Sequence, residues 1–133
     1  MAEADRVVTV QLVGKFETEG RDDVHVVTMD EPESAGGTNL GTTPLRLFGM
    51  SLGGCAVITM RMYAERKGWD LKGAKVTVRV RPGRGKDPAR VVQEIELDGD
   101  LDDEQRERLR IIAGRCPVHR IMDGPTESEE RLV

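Results

Sequence analysis

Residues 43–68 read TPLRLFGMSLGGCAVITMRMYAERKG, and this stretch decides the fold. Thr43-Pro44 combines a hydroxyl cap with a proline at the first helical position, the usual opening of an α-helix. Gly68 is a suitable stop, so the sequence predicts one long helix ending near Lys67. Leu45, Leu47, Phe48, Met50, Leu52, Cys55, Ala56, Val57 and Ile58 make its first part apolar nearly all round. Such a helix belongs at the centre of a protein or at an interface. Gly49, Gly53 and Gly54 each cost about 1 kcal/mol of helix propensity against alanine. Close approach must therefore be needed there, either by a packed neighbour or by something reaching Cys55.

On the N-terminal side, Arg6 to Val13 and Val24 to Met29 read as strands around a turn at Gly20-Arg21-Asp22-Asp23, giving an N-terminal β-hairpin. Asp30 to Thr43 reads as a surface loop; its Gly36-Gly37 lacks the lysine and spacing of a phosphate cradle. On the C-terminal side, Leu71 to Arg81 and Val91 to Leu97 read as two strands joined by a basic turn at Pro82 to Pro88. A second helix is expected from Leu101-Asp102 to Gly114, acidic in its first turn as the helix dipole favours. Leu101, Gln105, Leu109, Ile112 and Ala113 form its inner stripe. A short helix follows Cys116, and Leu132-Val133 reads as a terminal strand. The whole is an α+β chain, expected to be a single domain over residues 1–133.

Net charge is −4, from 20 basic and 24 acidic residues, with one Trp, one Tyr and two Phe. Neither the basic face nor the stacking aromatics of a nucleic-acid binder are present, so nucleic acid is not expected as a partner. No segment reads as the roughly 20 uninterrupted apolar residues of a membrane helix, so no membrane is expected either. Met1 is followed by acidic Glu3 and Asp5, unlike a secretory leader. With only two cysteines, this points to a reducing, cytoplasmic setting in which thiols stay available.

Those cysteines carry the chemistry. Cys55 and Cys116 are too far apart in sequence for a CxxC motif, so only the fold can bring them together. Cys116 precedes Pro117 and so stands at a helix cap, with Arg115, His119 and Arg120 nearby; local electrostatics favour its thiolate. Cys55 lies mid-helix among apolar residues, which favours its neutral thiol. Cys116-x-x-His119 with Cys55 and His25 is a conceivable zinc set, but no carboxylate stands at ligand spacing, and no metal is expected.

Residues 43–55, Met62 to Leu71 with its Arg66-Lys67-Gly68-Trp69, Leu101 to Arg106, and Arg115-Cys116-Pro117-Val118-His119-Arg120 together resemble the OsmC/Ohr family. The resemblance spans roughly residues 7 to 133. It implies an intertwined homodimer in which two sheets wrap two central helices, with active sites at the subunit interface. It also implies thiol-dependent reduction of organic hydroperoxides, bulky ones included. Cys55 would attack the peroxide and become a sulfenic acid, and Cys116 would resolve it. An external dithiol reductant, with no bound cofactor, would then reopen the disulfide. These roles invert the local ranking of the two thiols. Peroxidases of the family carry a glutamate just after the helix-opening proline, paired with an arginine of the N-terminal hairpin. Here Leu45 and Arg46 follow Pro44. A non-enzymatic role, as a ligand-binding or oxidation-sensing member, is the alternative.

Overall fold

The structure is a computed structural model that describes residues 4–133; of the acidic start, Met1 and Glu3 lie outside the described residues. The chain divides into two compact units, residues 1–48 and 49–133, taken in turn.

The first unit holds β1 (Thr9–Leu12), β2 (Thr18–Arg21) and β3 (Val26–Met29), antiparallel in the order β1-β2-β3. An N-terminal hairpin is thus present, but the two strands read from the sequence, β1 and β3, do not pair with each other: an added strand, β2, lies between them and pairs with both. Gly20 and Arg21, read as turn, belong to β2, where Gly20 pairs with Val10 on one side and Val27 on the other. The turn falls after them: Asp22 Oδ1 accepts hydrogen bonds from the Val24 and His25 amides at 2.9 and 2.7 Å. After β3 the loop is knitted around Asp30, whose side chain is almost fully buried. Its carboxylate accepts from the Glu31 amide at 2.7 Å, the Thr38 hydroxyl at 2.8 Å and the Leu40 amide at 3.1 Å. Those bonds satisfy a charge that would otherwise be costly to bury. Gly41 is obligatory in this loop, because a Cβ there would stand 2.3 Å from the Thr28 carbonyl oxygen.

The long helix α1 (Pro44–Lys67) starts in the first unit and runs through the second. Thr43 Oγ1 caps it by accepting from the Arg46 amide at 3.2 Å. At its other end Gly68 is left-handed (φ 69°), and the Gly68 and Trp69 amides bond to the Glu65 and Ala64 carbonyls at 3.1 and 2.9 Å. This is the Schellman closure that a C-terminal glycine permits.

In the second unit, β4 (Gly73–Arg81) and β5 (Arg90–Asp98) form a two-stranded antiparallel ribbon. They are followed by α2 (Asp103–Ala113) and α3 (Pro117–Asp123). The buried positions of α1 are Gly49, Leu52, Gly53, Ala56, Met60, Tyr63 and Ala64, steps of three and four that mark one face. Gly49 and Gly53 meet β4: a Cβ at Gly49 would lie 3.3 Å from Val80 Cγ2, and one at Gly53 2.9 Å from Val78 Cγ2. These two glycines are therefore explained by a helix lying close on a strand. Ala56, Met60, Tyr63 and Ala64 continue into a core with Leu71, Leu101, Leu109, Ile112 and Ala113. Asp102 and Gln105 form a full capping box at the start of α2, so Gln105 works at the helix end as much as on the inner stripe. Arg106 closes the turn before it, donating to the carbonyls of Leu101, Leu97 and Gly99 at 3.2, 2.8 and 3.2 Å.

Two expectations need correction. Leu132-Val133 forms no strand and is fully exposed. On α1 itself, Met50, Ile58 and Met62 are 59%, 56% and 63% exposed in the single chain, which is consistent with the interface alternative. By length and mean hydropathy (1.2) α1 would also suffice to cross a bilayer, contrary to the sequence reading. Its buried face on β4 and α2 gives that apolarity a second cause.

Candidate active site: two thiols at one cavity

Cys55 faces away from the buried stripe of α1, one residue short of Ala56, and is half-buried; Cys116 is completely buried. A cavity of about 480 Å³ opens along the exposed side of the helix, lined by Met50, Ser51, Gly54, Cys55, Ile58 and Met62, with Thr59 and Pro117 completing it. Pro117 brings the start of α3 to the cavity, and with it Cys116. The fold thus joins two thiols that the sequence separates. The Cys55 thiol is near enough to act on the ionisation of Cys116, and the Cys116 sulfur accepts a hydrogen bond from the His119 amide at 3.4 Å.

Gly54 differs from the other two helix glycines. A Cβ there would meet nothing within 4 Å, so no packing contact requires its absence. What it does is keep the wall beside Cys55 open.

The ionisation of Cys116 runs against the thiolate that its local sequence favours. The cap position is real: Cys116 is the N-cap of α3, and the His119 and Val118 amides favour its thiolate. Burial outweighs them, and the neighbouring Cys55 thiol adds to burial, so the Cys116 pKa is pushed up. Desolvation of a fully enclosed thiol exceeds the pull of two amides. His119 adds no contact to the sulfur through its ring: Nδ1 lies 3.0 Å from Asp123 Oδ2, close enough for an ion pair but misaligned for a hydrogen bond.

No charged side chain lines the cavity. On a helix of 3.6 residues per turn, Arg46 and Cys55 are two and a half turns apart and occupy opposite faces of α1. Arg46 therefore does not face Cys55. Ser51 and Thr59, one turn before and one turn after Cys55, put hydroxyls on the same cavity. Sequence reasoning missed them, although their i±4 spacing from Cys55 was a signal for it. His25 is engaged at 3.1 Å with Asp22. Among the described residues no group of three or more His, Cys, Asp or Glu is placed to hold a metal.

An α+β fold with a long glycine-bearing helix, one thiol on a cavity and a second buried near it, defines a class of cysteine-pair proteins. Within that class, residues 36–131 match the OsmC-like protein family, and the chain belongs to it. An OsmC-like protein from Mycoplasma pneumoniae shares the fold with a TM-score of 0.78 at 19% identity, over 93% of this chain and 91% of that one. An organic hydroperoxide resistance protein OsmC from Legionella pneumophila superposes with a TM-score of 0.71 at 18% identity, over 96% and 95%. The organic hydroperoxide resistance protein OhrB of Bacillus subtilis gives 0.60 at 20% identity, over 91% and 92%. At such identities the likeness is one of fold. Comparison with curated proteins finds no match.

Proposed function

We propose that the protein is a thiol peroxidase that reduces small organic hydroperoxides, with Cys55 as the attacking thiol and Cys116 as the resolving one. The observation that carries this reading is the asymmetry of the pair. Cys55 opens onto an apolar cavity, while Cys116 is sealed behind it with its pKa raised. A thiol reached by solvent and substrate meets the oxidant first, and a buried protonated neighbour is spared until a sulfenic acid forms beside it.

The Cys55 thiolate attacks the outer oxygen of ROOH, the O–O bond breaks, and ROH leaves after taking a proton. Cys55 is then a sulfenic acid. Cys116 gives up its proton and attacks the Cys55 sulfur; an S–S bond forms and water departs. An external dithiol returns two electrons and two protons by exchange and restores both thiols. The hydroxyls of Ser51 and Thr59 are the polar groups available to hold the peroxide against Cys55.

The working form in this reading is a homodimer in a reducing, cytoplasmic setting. It is supported by the exposed apolar side of α1, where Met50, Ile58 and Met62 would need cover. The uncharged cavity supports it too, because a second copy can bring the cation that Cys55 lacks. That same lack of charge favours an alternative, a non-enzymatic member whose cavity binds a small ligand or whose thiols sense oxidation.

Turnover of cumene hydroperoxide with a dithiol separates the two. Peroxidase action predicts that Cys55→Ser and Cys116→Ser both abolish turnover, and that only Cys116→Ser still yields a sulfenic acid trapped by dimedone. Equal turnover in the wild type and Cys55→Ser would sink the proposal.

A further inference from the structure

A second cavity, of about 620 Å³, lies between the end of α1 and α2, and Cys55 and Cys116 take no part in it. Tyr63, Lys67 and Trp69 form one side; Glu104, Arg108 and Ile111 form much of the other. Tyr63 is buried, its ring edge-on to Trp69 with centroids 5.5 Å apart. The Arg66, Lys67 and Arg108 charges stand 5.2, 5.6 and 5.6 Å from the Tyr63 ring centre. Among the described residues none of these three cations takes part in an ion pair, although five arginine or lysine pairs with carboxylates form elsewhere.

The Tyr63 hydroxyl accepts a hydrogen bond from Arg108 Nε at 3.0 Å. An arginine cannot accept in return, so the phenol proton is left for another acceptor. The Arg108 hydrogen bond, followed by the charges of Arg108, Lys67 and Arg66, holds the phenol below its usual range against the opposing effect of burial. Three kinds of donor thus converge on one cavity with an indole wall: a guanidinium, an ammonium and a phenol. The acidic residues of the opposite rim are mostly engaged. Asp102 caps α2, and Glu107 is bound to Arg110, leaving Glu104 free.

We propose that this cavity binds a small monocarboxylic acid with an apolar tail. Its carboxylate sits among Arg108, Lys67 and the Tyr63 hydroxyl, and its tail runs along Trp69 and Ile111. One negative charge is matched by the donors, whereas a second would meet Glu104. Dicarboxylates and inorganic phosphate are therefore excluded by the same rim. The volume is within the range of small-molecule sites, about 300–1,000 Å³. The site is independent of the thiols, so it stands or falls separately from the peroxidase reading.

Trp69 is the only tryptophan, so its fluorescence reports this wall alone. Titration of the full chain with octanoate is expected to change that emission saturably, in Cys55→Ser as in the wild type. Octylamine should give no saturable change, and succinate and phosphate should bind at least about tenfold more weakly than octanoate. Arg108→Gln removes a charge-assisted donor and should weaken octanoate at least about tenfold. Lys67→Gln, at an exposed position, should weaken it in the same direction and serves if the first variant fails to fold. No saturable response to octanoate, tighter binding of phosphate, or unchanged affinity in the folded variants would overturn the proposal.

Discussion

At Cys116 two local forces oppose one larger environmental one, and the larger wins. Helix-end amides draw the thiol towards ionisation, while burial and the adjoining Cys55 thiol hold the proton on. The expected consequence is selective alkylation: iodoacetamide at mildly alkaline pH should modify Cys55 well before Cys116, as read by peptide mass mapping. Equal labelling of both would contradict the burial seen for Cys116. Gly53 gives a second test at this scale. A methyl group there would press on Val78, an overpacking cost of about 1–3 kcal/mol. Helix propensity returns about 1 kcal/mol. Gly53→Ala should therefore lower stability by about 1 kcal/mol net, measured by urea denaturation. The sequence marked both cysteines and all three glycines, but only contacts from β4 separated Gly49 and Gly53 from Gly54. The same is true of the Cys116 thiol, whose proton is held by burial and by Cys55, which lies far off in sequence.

Among the elements, α1 was legible end to end because Thr43-Pro44 and Gly68 act within a turn of the helix. The strand β2 was not, since Thr18-Glu19-Gly20-Arg21 has no apolar alternation and contains glycine. Its hydrogen bonds come from β1 and β3 on both sides, which compensates for weak propensity. The loop after β3 was read as plain surface because one buried aspartate has no sequence period. Asp30 makes that loop responsive to acid. The Thr38 hydrogen bond first, and the Leu40 and Glu31 amides after it, lower its pKa against the effect of burial. With the folded value below the unfolded one, near 3.8, the stabilisation is full above that value and disappears as pH falls through the folded pKa. Asp30→Asn should accordingly be less stable at neutral pH and show a flatter loss of stability below about pH 4, by urea titration across pH. Arg106 is the matching device before α2. Arg106→Ala removes three bonds to carbonyls and is expected to cost about 2 kcal/mol, a fall in Tm readable by calorimetry.

For the whole molecule, the proposed homodimer would cover the exposed apolar side of α1 and could bring charge to the uncharged cavity at Cys55. Light scattering coupled to gel filtration should return the mass of two chains, and Ile58→Glu should shift it towards one. The family resemblance reached this expectation from sequence, whereas the apolar helix alone left centre and interface as equal choices. The central claim is that Cys55 and Cys116 form one redox couple. Its most direct measurement is the free-thiol titre during addition of cumene hydroperoxide under stoichiometric conditions. Rapid loss of two thiols per chain per equivalent of peroxide is expected, with a Cys55–Cys116 disulfide recovered by mass spectrometry. Slow, sub-stoichiometric loss with no such disulfide would contradict it.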